Sequence, residues 1–285
     1  VMHLASLLRS KQVTSLELTE LYLSRLEDYN PTLNAVVTLT ADRARRQARQ
    51  ADEEISSGNW RGPLHGIPWG AKDILAVPDY PTTWGGAPYK DQVLDTTAAV
   101  VERLDSAGAV LAAKLSTGAL AMRDVWFGGQ TKSPWNIETG SRGSSAGPGA
   151  AVSAGLVGFA IGSETYGSII SPCTQNGITG LRPTFGRVSR YGAMTLSWTM
   201  DKLGPMARTV EDCTLIFDAI RGSDERDPVT VDAPFAWPPA QEVTDLAVGY
   251  VEEAFEGDYD NRSADQRTLE VLEDMGLELK PIALP

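Results

Sequence analysis

Only two histidines, His3 and His65, occur in the 285 residues, and that scarcity excludes much familiar enzyme chemistry. The stretch Gly143-Ser144-Ser145-Ala146-Gly147 has the form of a G-x-S-x-G nucleophile elbow. An α/β-hydrolase needs its serine, acid and histidine in that chain order, and no histidine follows residue 65, so the match is false. His3 sits at a frayed terminus, and His65, in LHGIP, reads as a loop histidine bonded to backbone. Cysteine is equally sparse. Cys173 and Cys213 could form one bridge at most, and the expectation is two free, buried thiols in a reducing, cytoplasmic setting. With so few His and Cys, and no H-E-x-x-H or C-x-x-C, no metal is expected. No Walker-type or G-x-G-x-x-G phosphate loop occurs, no S-x-x-K is present, and no cofactor is expected. Apolar runs stay well short of the roughly 18 residues that a membrane span needs, and no charged n-region followed by an apolar h-region is read at the start of the given sequence. Residue 1 is Val, so the expected localisation leaves room for a removed upstream segment. Basic charge is also lacking. A net charge of −12 repels phosphate backbones, so direct nucleic-acid binding is not expected.

What is present reads as alternating helices and strands. Thr14 with Glu17 forms a capping box for a helix over 13–29, and the polar run 41–56 reads as a solvated outer helix. Further helices are expected over 97–107, ended by Gly108, near Pro148 in PGAAVSAGL, from Thr209 to Gly222, and over 264–275 with Ser263 as cap. Strands are expected at AVLAAKL (109–115), VGFAIGS, LAVGYV and LELKPI. The implied class is α/β, with a central mixed, largely parallel sheet flanked by helices and an N-terminal helical layer. We read one domain over 1–285: a helical layer to residue 60, a core over 61–222, and a linker with strand-helix-strand over 223–285. A Pro-rich linker is read at 234–240.

Between residues 140 and 180, Ser141, Ser144, Ser145, Ser163, Ser168 and Ser171 sit among ten glycines. Flexible loops are the simplest reading. The interleaved apolar run AVSAGLVGFAIG instead argues for burial, where Gly-Ser turns direct backbone N–H groups toward a ligand. Without a histidine base, a serine there needs a lysine. Lys72, in the apolar segment GIPWGAKDILAVP, is the best candidate, because burial lowers its pKa and frees a neutral amine. The competing reading is a snorkelling surface lysine.

The run GSSAGPGAAVSAGLVGFAIGSETYGSI resembles the Gly/Ser-rich signature of the amidase signature family. LHGIPWGAKD resembles that family's lysine segment, GLRPTFGRVSRYG (180–192) its strand after the signature, and LGPMARTVED (203–212) the start of its next helix. The resemblance implies an amide hydrolase in which Lys72 is the base, Ser144 follows a cis peptide and bridges, and Ser168 is the nucleophile. It implies an oxyanion hole built from the backbone N–H groups of Thr165, Tyr166, Gly167 and Ser168. Where the family has Asp-Thr-Gly-Gly-Ser-Ile-Arg, this chain reads Glu164-Thr165-Tyr166-Gly167-Ser168-Ile169-Ile170, and Arg142 and Ala146 replace glycines. The family domain also runs further than 285 residues, which leads to the expectation of a C-terminally truncated domain.

Three readings follow. A free-standing hydrolase of a small or acyl amide is favoured, since the acidic balance and altered turn weigh against the second, the A subunit of a tRNA-dependent amidotransferase acting as glutaminase. The third is a truncated, inactive relative. A small-molecule amide is the expected partner, and a homo-oligomer is allowed. Trp126, Phe127 and Tyr166 are aromatic candidates for the acyl pocket.

Overall fold

The computed structural model describes residues 1–239 and 242–284. Two compact units divide the chain, Val1–Ala233 and a second from Pro234 onward.

The first unit opens with α1 (Met2–Arg9), α2 (Ser15–Leu33), β1 (Val36–Leu39) and α3 (Ala41–Ser56). The capping box is formed: the Glu17 N–H donates to Thr14 Oγ1 at 3.1 Å, and the Thr14 N–H donates to Glu17 Oε2 at 2.8 Å. α3 is less solvated than its composition suggested. Ala44, Ala48, Ala51 and Ile55 form a buried stripe at helical spacing, where small side chains let α3 lie close to its neighbours.

Next come β2 (Pro68–Lys72), α4 (Ala99–Ser106), β3 (Val110–Leu115), and two short hairpins, β4 (Val125–Trp126) with β5 (Gly129–Gln130) and β6 (Lys132–Ser133) with β7 (Asn136–Gly140). The unit continues through α5 (Ala146–Ser153), β8 (Phe159–Glu164), α6 (Ile170–Asn176), β9 (Thr179–Gly180), β10 (Lys202–Ala207) and α7 (Val210–Ile220).

Six strands join in the order β1-β3-β2-β8-β10-β9. The sheet is mixed. β2 runs parallel to both β3 and β8, and the remaining pairings, on both flanks, are antiparallel. Every residue of β2, β3 and β8 is buried, as expected of strands covered by helices on both faces. Trp69 and Phe159 stack across the β2–β8 pair with ring centroids 6.0 Å apart, and burying side chains of that size contributes about 1.5–3 kcal/mol each. A second layer of core joins Leu23, Leu26, Ala44, Ala48, Val110, Ala150 and Val152 from helices and sheet.

β10 lies where the sequence suggested only the approach to a helix. Its Pro205 has no N–H to offer, yet its carbonyl accepts the Leu181 N–H at 3.0 Å, so a proline is tolerated inside the ladder. Of the expected strand over 180–192, only Gly180, the second residue of β9, is extended in the sheet. α7 begins as read, with Thr209 accepting the Asp212 N–H at 3.0 Å, and Gly222 beyond it holds φ +116°.

The second unit pairs β11 (Val248–Val251) in parallel with β12 (Leu279–Ile282) around α8 (Arg262–Asp274). α8 starts earlier than expected, with Asn261 rather than Ser263 at the N-cap position. Of the Pro-rich linker at 234–240, Ala240 lies outside the described residues.

Candidate active site

Lys72 is the last residue of β2 and is fully buried, so the snorkelling alternative fails. Its Nζ meets three hydroxyls: Ser144 Oγ at 2.8 Å, Ser163 Oγ at 2.8 Å and Ser145 Oγ at 3.1 Å. Ser163 reaches it from β8, the parallel neighbour of β2, while Ser144 and Ser145 come from the loop that enters α5. The Ser145 hydroxyl donates to the Ser163 carbonyl at 3.1 Å, so toward Nζ it accepts. A neutral amine has two protons to give and one lone pair. Giving to Ser145 and Ser163 leaves the lone pair for the Ser144 proton. Burial lowers the Lys72 pKa to about 7, against the opposing pull of the Asp201 and Glu164 carboxylates. The amine is thereby poised near neutral pH.

The loop carrying Ser144 is held by close approach of backbone. The Gly143–Ser144 peptide is cis. A Cβ on Gly143 would lie 1.8 Å from the Arg123 carbonyl oxygen, and one on Gly162 would lie 2.8 Å from Ser145 Oγ. Neither position has room for a side chain. Ser141 donates to the Ala146 carbonyl at 2.8 Å, and the Asn176 amide spans the Ser141 and Pro172 carbonyls at 3.0 and 2.7 Å. These bonds tie the loop to α6.

Ser168 sits between β8 and α6, half-buried, at a cavity of about 430 Å³ that Gly143, Thr165, Tyr166 and Leu196 also line. Its carbonyl accepts the Ser145 N–H at 3.1 Å. The structure thus brings Ser168 to the loop of Ser144, while the Ser168 hydroxyl makes no hydrogen bond among the described residues. Glu164, fully buried, organises the turn before it. Its Oε2 accepts the N–H groups of Ile169 and Ile170 at 2.8 and 2.9 Å, and Arg182 pairs with Oε1 at 3.1 Å. Burial alone would raise the Glu164 pKa. The Ile170 and Ile169 N–H groups, Arg182 and the Gly167 N–H outweigh it and hold the carboxyl below its ordinary value. Gly167 itself holds φ +94°, a conformation that suits glycine. Tyr166 is 91% exposed, so its bulk is turned out to solvent.

The other sequence candidates fall outside this cluster. His65 is buried and its Nδ1 accepts the Arg61 N–H at 3.2 Å, as a backbone-bonded loop histidine should. Trp126 packs edge-on against Phe127 with centroids 4.8 Å apart, and neither lines the cavity. Cys173 and Cys213 are free and buried, and burial pushes both thiols up to about 12. Sequence reasoning named Ser163 among the clustered serines but gave it no role, and it assigned none to Glu164, the anchor of the turn, or to Arg182. Strand alternation gives no signal for Ser163, because Ala71 opposite Ile161 puts Gly162 rather than Ser163 level with Lys72, and Arg182 carried no signal either. No helix among the described residues is long and apolar enough to cross a membrane.

Known proteins share this fold. A solved peptide amidase from Stenotrophomonas maltophilia superposes with a TM-score of 0.89 at 32% identity, covering 100% of this chain and 62% of that one. A solved amidase family protein from Bacillus anthracis str. Ames gives 0.91 at 31%, covering 99% and 60%. In sequence, the A subunit of the glutamyl-tRNA(Gln) amidotransferase of Methylococcus capsulatus is 44% identical over 234 residues, which is 81% of this chain and 48% of that protein. The chain thus spans about half the length of that relative. The Amidase family model matches residues 17–285, and the chain belongs to the amidase signature family.

Proposed function

We infer that the chain is the amide-cleaving part of a serine amidase of the kind found as the A subunit of tRNA-dependent amidotransferases, releasing ammonia from a primary carboxamide such as that of glutamine. The observation that carries the chemistry is the buried Lys72 amine at 2.8 Å from Ser144 Oγ, with Ser168 on the adjoining turn. The 44% identity to such a protein supports the glutaminase reading over the free-standing hydrolase that acidic charge and an altered turn had favoured. The likeness to the peptide amidase, at 32%, is what supports the free-standing reading.

In the proposed reaction, neutral Lys72 takes the Ser144 proton as Ser144 takes that of Ser168. Ser168 Oγ bonds to the carbonyl carbon, and charge collects on the carbonyl oxygen. The N–H groups of Thr165, Tyr166, Gly167 and Ser168 are the proposed donors to it, and one such donor is worth roughly 10²–10³ in rate. The C–N bond then breaks, and the proton held on Lys72 returns through Ser144 to the leaving nitrogen. Water attacks the Ser168 ester, gives its proton along the same relay, and releases the carboxylic acid and free Ser168. The open Ser144–Ser168 link closes on substrate binding, as catalytic hydrogen bonds often do.

Ammonia release from glutamine, measured with and without the other amidotransferase components, tests this. Turnover that needs the partners and vanishes in Ser168→Ala is expected. Efficient hydrolysis of simple amides by the chain alone would return the free-standing reading. A fluorophosphonate probe that labels a residue other than Ser168 would overturn the mechanism.

A further inference from the structure

Two arginines line the cavity of Ser168, and neither guanidinium has a partner among the described residues. Arg123 and Arg142 are both exposed at its wall, beside Ala121, Met122, Tyr166 and Leu196. Elsewhere in the same unit Arg43, Arg45, Arg61, Arg190 and Arg226 each carry a carboxylate. The backbone at both positions is unusual. Arg123 holds φ +59° and Arg142 φ +56°, the left-handed region in which any Cβ is disfavoured and glycine is at ease. A strained position that retains a long charged side chain points to work for that side chain.

The backbone of the pair is also fixed in place. A Cβ on Gly143 would meet the Arg123 carbonyl at 1.8 Å, and one on Gly118 would meet it at 2.1 Å, so the backbone of Arg123 is wedged between two glycines. The Arg142 N–H donates to Asp124 Oδ2 at 3.1 Å, which ties the two segments together. Among the described residues lining the cavity, Asp124 is the one carboxylate, against two guanidinium groups. The wall is therefore net positive in a chain whose net charge is −12. Guanidinium groups hold carboxylates in planar, two-pronged hydrogen bonds, and partial exclusion of water strengthens them. The apolar stretch of Met122 and Leu196 suits a short aliphatic spacer.

We propose that Arg123 and Arg142 form a carboxylate-binding subsite, so that the favoured substrate is a short aliphatic amide ending in a carboxylate at the far end from its amide. This rests on Ser168 as the point of attack, and it sets the orientation of the substrate: carboxylate outward, amide carbonyl at Ser168.

The test is calorimetric binding to the Ser168→Ala protein, which needs no turnover. Glutarate monoamide and its neutral counterpart pentanamide are compared, in the parent and in R123Q/R142Q. The expected result is at least tenfold tighter binding of the carboxylate-bearing amide, falling to a ratio near one in the double variant. Arg123→Gly and Arg142→Gly relieve the left-handed backbone and supply folded alternatives if the glutamines destabilise the loop. Equal binding of the two amides in the parent, or a preference that survives loss of both arginines, overturns the proposal. A carboxylate preference in a protein that releases no ammonia even with the other amidotransferase components would keep the subsite and overturn only the reaction assigned to Ser168.

Discussion

Lys72 and Ser144 lie 72 residues apart in the chain, yet Nζ and Oγ approach to 2.8 Å in a site closed to solvent. The lysine is fixed by the sheet and the serine by a loop packed under α5. Burial lowers the pKa of the amine to about 7, and in the proposed relay this would set the pH response of the protein.

Activity should therefore rise with pH through about 7, the value to which burial brings Lys72. Below it the amine is protonated and has no lone pair for Ser144, so log kcat/KM should climb with a slope near one. A flat profile between about pH 5.5 and 8 would count against Lys72 as base. Stability has the same sign. The folded pKa lies below the ordinary 10.5, so between about 7 and 10.5 the unfolded chain binds more protons. The unfolding free energy then gains about 1.4 kcal/mol per pH unit across that window. Lys72→Met should remove that gain, which denaturant titrations at several pH values will read.

Ser163→Ala removes one acceptor from Nζ. The ammonium form loses more than the neutral amine, because charged donors bond more strongly. The acid limb of the rate profile should move to lower pH and kcat should fall about tenfold, with KM little changed, in line with one lost hydrogen bond of about 1–1.5 kcal/mol. An unmoved limb would show that Ser163 only packs against the lysine.

Glu164→Gln keeps an acceptor for the Ile169 and Ile170 N–H groups but removes the charge. The expected outcome is a loss of about ten- to a hundredfold in kcat from a loosened turn, together with a shift of the acid limb to lower pH, since Glu164 helps to raise Lys72. Glu164→Asp should recover the charge-dependent shift better than the turn geometry. Equal defects in the two variants would contradict this separation.

Gly143→Ala forces a methyl group to within 1.8 Å of the Arg123 carbonyl oxygen. Overpacking of this kind costs about 1–3 kcal/mol, and here the obstacle is backbone and cannot rotate away. A lowered Tm with loss of Ser168 labelling is expected. At Gly58, where a Cβ meets nothing within 4 Å, alanine should lower Tm by clearly less and leave labelling intact.

Asp73 and Lys114 are fully buried and 2.8 Å apart. Burial pulls the Lys114 pKa down while Asp73 raises it, and burial is the larger of the two. Removing one partner leaves the other charge uncompensated, at a cost of about 3–5 kcal/mol. Lys114→Met should therefore destabilise strongly, and adding Asp73→Asn should recover part of the loss in thermal denaturation.

Much of this was legible in the chain. Thr14 with Glu17 and Thr209 with Asp212 marked helix starts because capping is local chemistry. The shortage of histidine pointed to lysine before any geometry was known. What escaped reading depends on distant partners. β10 was hidden because Gly204 and Pro205 break strand propensity, and only pairing with β8 overrides that. α8 starts after Asn261 with no side-chain capping bond, so the local capping rule that pointed to Ser263 had no hold there. Ser163 and Arg182 acquire their roles across 91 and 18 residues, and that Arg123 and Arg142 have no partner among the described residues is a fact of tertiary structure alone.

The register between β2 and β8, with Ala71 opposite Ile161, has one more consequence. A slip of a single residue would turn Lys72 to the other side of the sheet. In the proposed mechanism, reactivity is thus a property of the finished sheet. A chain still being synthesised carries an ordinary serine and an ordinary protonated lysine, and it stays inert toward amides and electrophiles alike. The same latency returns whenever β2 and β8 part, so covalent labelling of Ser168 would report the fraction of correctly folded copies in a mixture.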